Sequence, residues 1–408
     1  MKLYEELQWR GLIDNISDDQ LIEELNEGSI TFYIGIDPSA ASLHIGHFCS
    51  LLTARRLKDA GHNPLLIAGG ATGLIGDPKP NAERPMISID TIRENIVSVK
   101  EQMKKVVDCE IINNYDWHSE TNIIKFLRDY GKHFNVNYML SKETVKRRLE
   151  VGITFTEFSY MLLQAIDFLN LYEKYNCRLQ IGGQDQWGNI TAGLELIRKI
   201  HTDVKAYALT MPLITKADGT KFGKTETGTV WLDSNLTSPY ELYQFFINTE
   251  DEKVIEYLKK FTFLTKEEID KLEIELETNP ELRNAQKKLG EEVVKIIHGQ
   301  EAYEQAIKIT NALFSGDISQ LTGKEIEQSF KDMSIYDLTN ASNLVDLLVE
   351  AEIVTSKREA REFITSGAIF VNGNKVTDLK FIINKDMAID SKYIIIRKGK
   401  KKYYLLKY

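Results

Sequence analysis

Short apolar runs alternate with amphipathic segments along the first 220 residues of the chain. Apolar runs of about four to eight residues are typical of buried strands, and they predict strands over 30–36, 64–68, 110–112, 178–181 and 207–213. Apolar residues at helical spacing predict helices over 45–60, 90–107, 121–130, 142–149, 157–175 and 190–199. Because strands separated by helices form parallel sheets with helices on both faces, we predict an α/β domain here.

The pattern changes after about residue 233. Helical periodicity continues over 238–312 with little strand signal, which predicts an all-helical domain. A polar stretch follows, and we predict a linker over 321–342. The last segment begins with two predicted helices, Leu344–Ala351 and Lys357–Thr365, and continues as short strands. The pair Asn372-Gly373 favours a tight hairpin, so this segment is predicted to be a small α+β module.

The composition is that of a multidomain globular protein. The chain has 408 residues, 43% of them hydrophobic, which suffices for two or three domains with sizeable cores. No apolar run approaches the length that crosses a bilayer. The three cysteines, Cys49, Cys109 and Cys177, are far apart and odd in number, so they fit neither a zinc site nor a disulfide framework. We therefore predict reduced thiols and a cytoplasmic location.

Charge is distributed unevenly along the chain. The net charge of −9 argues against a nucleic-acid partner for the protein as a whole. Residues 344–408, however, contain 13 Lys and Arg against 8 Asp and Glu, a net charge of +5. A basic terminal module on an acidic body is typical of RNA-facing domains, and a solvated charged terminus is the alternative on charge alone.

The most informative segment is Tyr33-Ile34-Gly35-Ile36-Asp37-Pro38, followed by His44-Ile45-Gly46-His47. It predicts a strand, a turn at the Asp-Pro pair and the start of a helix. The two imidazoles are three residues apart and therefore share one helix face. Gly46 leaves room for a ligand near the backbone, and the N-terminus of a helix attracts anions. These features together predict a phosphate site.

Two glycine-rich segments follow predicted strands. Gly69–Pro78 contains Asp77, whose carboxylate suits an ammonium group, although a tight strand–helix turn explains its glycines equally well. In Gln180–Asn189, paired glycines precede Asp185, an arrangement that suits a ribose whose hydroxyls donate to the carboxylate. The dinucleotide fingerprint Gly-x-Gly-x-x-Gly does not occur here, which argues against a nicotinamide enzyme.

A third glycine-containing segment, Lys216–Thr225, places Lys221 and Lys224 three residues apart. Two ammonium groups in a mobile glycine-containing loop can close over a polyphosphate. Read alone, such a loop is more often a solvated turn. Downstream of a nucleotide site it becomes a candidate pyrophosphate clamp.

The helix over 157–175 carries a polar stripe of Tyr160, Gln164 and Asp167. Their i, i+4, i+7 spacing puts these side chains on one face. Buried polar groups without partners cost roughly 1–3 kcal/mol each, so a small polar ligand would supply what they lack. A solvent-facing stripe is the alternative.

The sequence contains no Ser-His-Asp order, no Gly-x-Ser-x-Gly elbow and no metal-ligand spacing, and we predict no metal site. The remaining histidines are isolated in the sequence, and we predict no chemical role for them: His62, His118, His133, His201 and His298.

These residues together resemble the bacterial-type tyrosyl-tRNA synthetases, a family of class I aminoacyl-tRNA synthetases, over nearly the whole chain. His44–His47 is similar to the family's His-Ile-Gly-His signature, and Lys221-Phe222-Gly223-Lys224-Thr225 to its variant of Lys-Met-Ser-Lys-Ser. Three other segments fit the tyrosine enzymes better than their tryptophan relatives: Gly69–Pro78, Phe155–Gln164 and Gln180–Asn189.

The last module resembles the RNA-binding domain of ribosomal small-subunit protein four, through Ser356–Arg361 and Gly367–Gly373. The resemblance implies that Lys357, Arg358 and Arg361 contact RNA. It also implies a domain order: a Rossmann-like catalytic domain over 1–225 with an inserted connective segment at about 115–160, an α-helical anticodon-binding domain over 226–320, a linker over 321–342 and the RNA-binding domain over 343–408.

The resemblance implies a two-step reaction. L-Tyrosine and ATP would form tyrosyl-adenylate and pyrophosphate, and the tyrosine would then pass to the 3′ end of tRNA(Tyr). Mg²⁺ would accompany ATP, without any tightly bound cofactor. A homodimer would form through the inserted segment.

The resemblance also implies roles for individual residues. Tyr33 and Asp167 would hold the phenol hydroxyl of the substrate. The rest of the tyrosine would be held by Asp77, Tyr160, Gln164 and Gln186, with Asn114 behind them. The nucleotide would be met by Asp37, Gly46, His47, Gly183 and Asp185. The departing phosphates would be met by Ser39, His44, Arg84, Lys221, Lys224 and Thr225.

Two departures from the family pattern leave roles open. Ser39 stands where threonine is common, which keeps the hydroxyl and loses a methyl. The loop over 78–84 is one residue shorter than a common bacterial version, so the lysine that contacts phosphate is not fixed, although Lys79 is available.

Three other interpretations of the sequence remain open. Tryptophan enzymes share the fold, and cytidylyltransferases share a His-x-Gly-His motif. Tyr33 together with Asp167 favours a tyrosine pocket over either. An RNA-binding regulator with an inactive synthetase core is a rival from another class, and the intact His44, His47 and lysine pair count against it.

Overall fold

The computed structural model describes the whole chain except residues 80–83, 151, 221, 226–227, 316–317, 331–334 and 400–401. It contains two compact units, one formed by 1–237 with 246–297 and the other by 238–245 with 298–408. These units do not follow the predicted boundaries at residues 225 and 320, because the helices over 246–297 join the first unit and those after 298 join the second.

The first unit is an α/β unit. Its strands are β1 Asn15–Ile16, β2 Thr31–Ile36, β3 Asn63–Ala68, β4 Glu110–Asn113, β5 Cys177–Gly183, β6 Tyr207–Met211, β7 Lys224–Thr225 and β8 Gly228–Thr229. Its helices up to residue 200 are α1 Leu3–Trp9, α2 Gln20–Glu27, α3 Ile45–Asp59, α4 Thr72–Ile75, α5 Ile89–Val107, α6 Tyr115–His118, α7 Ile123–Lys125, α8 Val136–Leu140, α9 Glu143–Leu149, α10 Phe155–Tyr175 and α11 Trp187–Ile200.

The central sheet has the strand order β1-β6-β5-β2-β3-β4, and β1 is its antiparallel member. Strand β2 pairs parallel with both β3 and β5. The later strands are therefore added first on one side of β2 and then on the other, which makes β2 the switch point of the sheet. Ligands of such sheets bind beyond the strand C-termini at this switch point. Asp37 follows β2 there, and the turn Gln184–Gln186 follows β5.

The predicted α/β architecture is confirmed. The sequence did not predict α1, β1, α2, α4, α6 and α8. Each strand and helix that it did predict up to residue 200 is found with both ends within three residues of the prediction, with one exception. The helix predicted over 121–130 is instead α7, a wide π-helical turn over Phe126–Tyr130 and a tight turn over Gly131–His133.

Local signals explain where the main helices begin and end. The hydroxyl of Thr154 caps α10 by accepting from the Glu157 N–H, and Ser88 caps α5 in the same way. Both helices end at a residue in the left-handed region, Asn176 at φ 50° and Asp108 at φ 51°. Short polar residues are common at such helix ends.

The sheet is covered on both faces. Helices α3 and α5 pack together on one side, and α10 and α11 pack together in a core with residues of β2 and β3. Buried side chains from β2, α10 and α11 in this core include Tyr33, Ala165, Phe168, Ile190 and Leu194. This core fixes the polar face of α10 relative to the end of β2.

Further helices follow residue 237: α12 Pro239–Ile247, α13 Asp251–Phe261, α14 Lys266–Thr278, α15 Asn284–His298, α16 Gln300–Ser315, α17 Gly323–Ser329, α18 Leu344–Glu350 and α19 Lys357–Thr365. The later strands are β9 Ile335–Asp337, β10 Ser342–Asn343, β11 Ile369–Val371, β12 Asn374–Val376, β13 Ile382–Ile383, β14 Tyr393–Lys398 and β15 Lys402–Lys407.

The second unit is built around a five-stranded sheet of order β12-β11-β14-β15-β9. The predicted hairpin at Asn372-Gly373 is confirmed, since both residues have positive φ and β11 pairs antiparallel with β12. Residues 321–342, predicted as a linker, contain α17 and β9, and β9 pairs with β15 at the edge of the sheet. The linker prediction is therefore wrong for these residues, which form part of the folded module.

Candidate active site

A cavity of about 470 Å³ opens beyond the C-terminal ends of β2 and β5 in the first unit. Most of the predicted site residues line it together: Tyr33, Asp37, Ser39, His44, Gly46, His47, Asp77, Arg84, Tyr160, Gln164, Asp167, Gly183, Asp185 and Gln186. Residues as far apart in the sequence as Tyr33 and Gln186 thus meet in one space, as the switch point of the sheet predicts.

The remaining predicted residues lie elsewhere. Asn114 is fully buried behind the cavity. Lys221 lies outside the described residues. The backbone of Lys224 and Thr225 forms β7, which pairs with β8. Lys357, Arg358 and Arg361 are exposed on α19 of the second unit.

One end of the cavity holds buried polar atoms without hydrogen-bond partners. They are the hydroxyl of Tyr33 and the side-chain carbonyl oxygens of Gln164 and Gln180, which make no hydrogen bond within the described part of the chain. Tyr33 is 1% exposed and Gln180 is 3% exposed. Because unpaired buried polar groups cost roughly 1–3 kcal/mol each, this end suits a ligand with its own hydrogen-bonding groups.

Asp167 lies at the same end, 3% exposed. Its Oδ1 accepts a 2.8 Å hydrogen bond from Trp117 Nε1 and lies 2.8 Å from His118 Nε2, while its Oδ2 accepts a 3.0 Å bond from Asn114 Nδ2. Burial, and next to it the charge of Asp167, raise the pKa of the Tyr33 phenol well above its usual value, so this hydroxyl stays protonated. A neutral donor and an acceptor therefore share this end of the cavity.

Asp37, at the end of β2, connects two walls of the cavity. Tyr160 donates a 2.8 Å hydrogen bond to Oδ2 and Thr72 donates a 2.6 Å bond to Oδ1. Burial raises the pKa of Asp37 to about 6, although both hydrogen bonds act in the opposite direction. Thr72 also accepts a 2.9 Å bond from Asn114, which links this carboxylate to the surroundings of Asp167.

Asp77 is a second carboxylate that lines the cavity. Gln186 donates to its Oδ2 at 2.9 Å and Asn189 to its Oδ1 at 3.0 Å. Burial raises the pKa of Asp77 above its usual value, and the two amides partly offset that effect. Arg84 holds the same turn, since its Nε donates a 2.7 Å bond to the carbonyl oxygen of Asp77. A half-buried carboxylate whose side-chain hydrogen bonds come from two neutral amides attracts a cation.

The two histidines of the first motif stack on each other, with ring centroids 3.7 Å apart. His44 caps α3, because its Nδ1 accepts a 3.1 Å bond from the Gly46 N–H. A Cβ on residue 46 would lie 2.9 Å from that nitrogen, so the close contact requires glycine. Burial, and next to it His44, lower the pKa of His47 to about 3, so its ring stays neutral. Neutral N–H donors at a helix N-terminus suit an anion.

The second signature segment is attached to the first. Val230 N–H donates to the Gly223 carbonyl at 2.9 Å, and Ile45 N–H donates to the Val230 carbonyl at 2.9 Å. Gly223 has a φ of +83°, and a Cβ there would lie 2.5 Å from Ile45 Cγ2. The backbone around Gly223 therefore packs directly against the start of α3.

Phe222 anchors this segment through an aromatic cluster that we call the aromatic box. Its ring is 4.7 Å from that of Tyr257, 5.1 Å from Phe261 and 6.1 Å from Phe246, measured between centroids. The Tyr257 hydroxyl donates a 2.8 Å hydrogen bond to the Thr215 carbonyl, on the approach to the same loop. The box thus holds both sides of the loop against α12 and α13.

Sequence reasoning missed several residues of the site: Thr72, Trp117, His118, Gln180, Asn189 and the aromatic box. Gln180 carried a usable signal, because it is a polar residue within an otherwise apolar strand. It lies beside Tyr33 in the ladder between β5 and β2. Thr72, Asn189 and Phe222 lie within the three glycine-containing segments that the sequence singled out. Trp117, His118 and the other aromatic residues had no local signal, since their partners lie far away in the sequence.

The described residues contain no group of three or more His, Cys, Asp or Glu side chains arranged to hold a metal ion. They also contain no helix that is long and apolar enough to cross a membrane.

Comparisons with known proteins show the family of this chain. A family model described as tRNA synthetases class I (W and Y) matches residues 25–315, and one described as a Tyrosine–tRNA ligase SYY-like C-terminal domain matches residues 325–406. The Tyrosine–tRNA ligases of Geobacillus stearothermophilus and Bacillus caldotenax are each 56% identical to this chain over the full length of both proteins.

Solved structures give the same result. The C-terminally truncated mitochondrial tyrosyl-tRNA synthetase of Aspergillus nidulans has a TM-score of 0.69 at 32% identity, covering 77% of this chain and 94% of that one. The corresponding Coccidioides posadasii structure has a TM-score of 0.67 at 31% identity, covering 76% and 91%. The chain therefore belongs to the class I tRNA synthetases of the tryptophan and tyrosine group.

Proposed function

We propose that this protein is a tyrosine–tRNA ligase that activates L-tyrosine with ATP and transfers it to tRNA(Tyr). The observation that carries the proposal is the unpaired hydroxyl of Tyr33 beside Asp167 at the buried end of the cavity. A phenol can accept from Tyr33 and donate to Asp167, whereas an indole N–H only donates. The full-length relatives named Tyrosine–tRNA ligase support the same substrate.

The first step needs no protein nucleophile. The tyrosine carboxylate attacks the α-phosphorus of ATP, a carboxyl–phosphate bond forms, and the bond to the β-phosphate breaks to release pyrophosphate. The protein contributes position and charge stabilisation. In the second step a terminal ribose hydroxyl of tRNA attacks the activated carbonyl, and AMP leaves. A site rich in His, Gly, amides and carboxylates suits this chemistry.

The amino acid would bind along α10. Asp77, with its two amide partners, suits the α-ammonium group, and Tyr160 and Gln164 lie on the same wall. Gln186 would meet the carboxylate end. Its contact with Asp77 couples recognition of the ammonium and carboxylate groups.

The nucleotide would bind across the ends of β2 and β5. Asp37, Gly183 and Asp185 would border the adenosine, and the rings of His44 and His47 would border the phosphates, since all five residues line the cavity. Ser39, Arg84 and the loop with Lys221, Lys224 and Thr225 would complete the phosphate contacts. Mg²⁺ would enter with ATP, bound mainly by phosphate oxygens.

The second unit would bind tRNA. Lys357, Arg358 and Arg361 form an exposed basic face on α19. Lys357 already pairs with Asp346 at 2.7 Å, so it would exchange that partner for a phosphate. Basic side chains of this kind supply sequence-independent affinity for RNA.

We also propose a homodimer and a cytoplasmic location. Seven large apolar side chains of the inserted segment are exposed, by between 41% and 72%: Ile123, Ile124, Leu127, Val136, Tyr138, Leu149 and Phe155. A second copy of the chain would cover them. The sedimentation mass of wild type and of Phe155→Glu would test the homodimer, and a wild-type monomer at micromolar concentration would contradict it.

The cytoplasmic location rests on the cysteines. The free thiols of Cys49, Cys109 and Cys177 suit a reducing compartment.

Tyrosine-dependent ATP–pyrophosphate exchange tests the activity directly. Exchange with tyrosine and none with tryptophan is expected, followed by charging of tRNA(Tyr). Exchange with tryptophan instead, or no exchange with any amino acid, would overturn the proposal.

Asp167→Ala should weaken discrimination against phenylalanine, and unchanged selectivity would remove Asp167 from the phenol site.

A further inference from the structure

His118 lies against the carboxylate that would recognise the phenol. Its Nε2 is 2.8 Å from Asp167 Oδ1, and the two side chains are 8% and 5% exposed. The sequence predicted no chemical role for this histidine and gave no sign of this contact. His118 is not among the residues that line the cavity, so any effect on the substrate acts through Asp167.

The hydrogen-bond pattern around Asp167 fixes the role of the imidazole. A carboxylate oxygen only accepts, so Nε2 carries the hydrogen and donates it to Oδ1. Trp117 Nε1 donates to the same oxygen at 2.8 Å, which occupies both of its lone pairs. Asn114 Nδ2 donates a 3.0 Å hydrogen bond to Oδ2 and so occupies one of the two lone pairs of that oxygen. One lone pair of Oδ2 therefore remains for a ligand.

The charge on Asp167 depends on these three donors. Among the residues that the structure describes, no lysine or arginine forms an ion pair with Asp167. The Asp167 side chain is 5% exposed, so water cannot replace a missing donor at little cost. Hydrogen bonds to a buried charged group contribute more than neutral ones, and removing one partner leaves the charge partly uncompensated.

We infer that His118 is a positioning residue for tyrosine selectivity: it orients Asp167 so that the free lone pair of Oδ2 accepts the phenol O–H of the substrate. This inference rests on the proposed tyrosine–tRNA ligase function and deepens it. The reacting carboxylate of the substrate lies at the opposite end of the amino acid from its phenol. His118 therefore affects binding of the ring more than the chemical step.

The test compares two amides of different length. In His118→Gln, the amide nitrogen can reach the position of the imidazole Nε2, whereas His118→Asn is too short to do so. Both variants replace the imidazole ring by a polar amide, so a general effect of losing the ring would appear in both. His118→Phe keeps the ring without the donor, and Trp117→Phe removes the other donor to Oδ1 as a matched comparison.

Each variant is measured by ATP–pyrophosphate exchange with tyrosine and with phenylalanine. For Asn and Phe at position 118, loss of one hydrogen bond to a buried carboxylate should raise KM for tyrosine roughly tenfold. Their preference for tyrosine over phenylalanine should fall by a similar factor, while kcat with saturating tyrosine changes less than threefold. His118→Gln should restore both values to near wild type.

The outcomes separate this inference from the proposed function. A wild-type protein without tyrosine-dependent exchange overturns the proposed function. A wild-type protein that is active, with the Gln and Asn variants equal to each other, overturns the role of the Nε2–H donor. A fall in kcat without a change in KM or selectivity overturns it as well. If His118→Phe does not fold, the Gln and Asn pair alone decides the question.

Discussion

Tyr160 donates a 2.8 Å hydrogen bond to Asp37, which joins the polar face of α10 to the end of β2. Thr72 completes the pair of donors at 2.6 Å. Even so, burial raises the pKa of Asp37 to about 6. The desolvation of this carboxylate thus outweighs its two hydrogen bonds, a state that is expected of a charged group placed for a ligand rather than for stability.

The raised pKa of Asp37 has a consequence for stability. The native carboxyl binds a proton below about pH 6, whereas in the unfolded chain it does so below about pH 4. Between these values the native state holds more protons, so this group's contribution to stability falls as pH rises from 4 to 6. The whole change is up to roughly 3 kcal/mol.

Asp37→Asn should therefore gain stability relative to wild type as pH rises. Urea unfolding at pH 4, 5, 6 and 7 measures the difference in unfolding free energy between the two proteins. Asp77, whose pKa is also raised, is common to both proteins, and its contribution cancels apart from its smaller charge interaction with Asp37. Asp90→Asn serves as the control, because that side chain is 88% exposed. A difference that does not vary with pH would contradict the prediction.

Tyr33 and Tyr160 offer a matched pair of hydroxyl deletions. The Tyr33 hydroxyl is buried without a partner, whereas the Tyr160 hydroxyl is bonded to Asp37. Tyr33→Phe should leave the free protein equally stable or more stable, because it removes an unpaired polar group that costs roughly 1–3 kcal/mol. Tyr160→Phe should lose stability.

Both substitutions should raise KM for tyrosine in the exchange assay. Thermal unfolding of the free proteins, measured beside that assay, separates the two cases. A Tyr33→Phe protein that is clearly less stable than wild type would show that its hydroxyl has a partner in the free state.

The parts of the fold that sequence predicted are those with strong local signals. Apolar runs located β2 and β3, and the spacing of Tyr160, Gln164 and Asp167 placed them on one face of a helix. The partners of Asp167 could not be found in this way, because Trp117 lies on a four-residue helix 50 positions earlier. Nothing local distinguishes that helix from a surface turn.

The errors have similar causes. β9 has three residues and lies in a polar stretch, so its existence depends on pairing with β15 near the end of the chain. The helix predicted over 121–130 keeps helical spacing in sequence, and its widening to a π-helical turn has no local signal. In both places the sequence carried no local signal for the outcome.

Phe222 should control the position of the loop that carries the lysines. Phe222→Leu keeps an apolar side chain but loses the ring contacts with Tyr257 and Phe261, at a cost of about 1 kcal/mol per aromatic pair. We expect kcat/KM for ATP to fall roughly fivefold or more while KM for tyrosine changes little. Pyrophosphate exchange at varied ATP concentration measures the effect.

Phe261→Leu is the control for that experiment. Phe261 belongs to the same aromatic box but lies on α13, outside the loop. It should lower thermal stability with a smaller effect on ATP. Equal effects of both variants on ATP would mean that the box acts as a whole and that Phe222 has no separate role.

Arg148 and Glu157 form an ion pair that should matter for stability. Two nitrogens of the guanidinium lie 2.7 and 3.1 Å from the two carboxylate oxygens, and the side chains are 3% and 2% exposed. Arg148→Ala would leave Glu157 buried without its cation, at a cost of roughly 3–5 kcal/mol. Replacing both residues, with Arg148→Met and Glu157→Leu, should cost less than the single change. Urea unfolding of all three variants checks this order, and an additive result would contradict it.

The RNA-binding role of the second unit requires point substitutions, because truncation would damage its core. Removing 344–408 would uncover Ile309, Ile318 and Ile326, which pack against Ile395 and Leu405 of the same unit. Replacing Lys357, Arg358 and Arg361 together by Gln changes exposed charges on α19 only. ATP–pyrophosphate exchange should be unchanged, since the adenylate site lies in the first unit.

The variant in which Lys357, Arg358 and Arg361 are replaced by Gln should charge tRNA more weakly, and its affinity for tRNA should depend less on salt concentration. Each phosphate contact that is lost lowers the slope of log affinity against log salt by about one. Three contacts would therefore lower it by roughly three, and KM for tRNA should rise most at low salt. A variant with the wild-type salt slope would mean that α19 faces away from the RNA, and the basic face would then have to be sought on the strands of the same module.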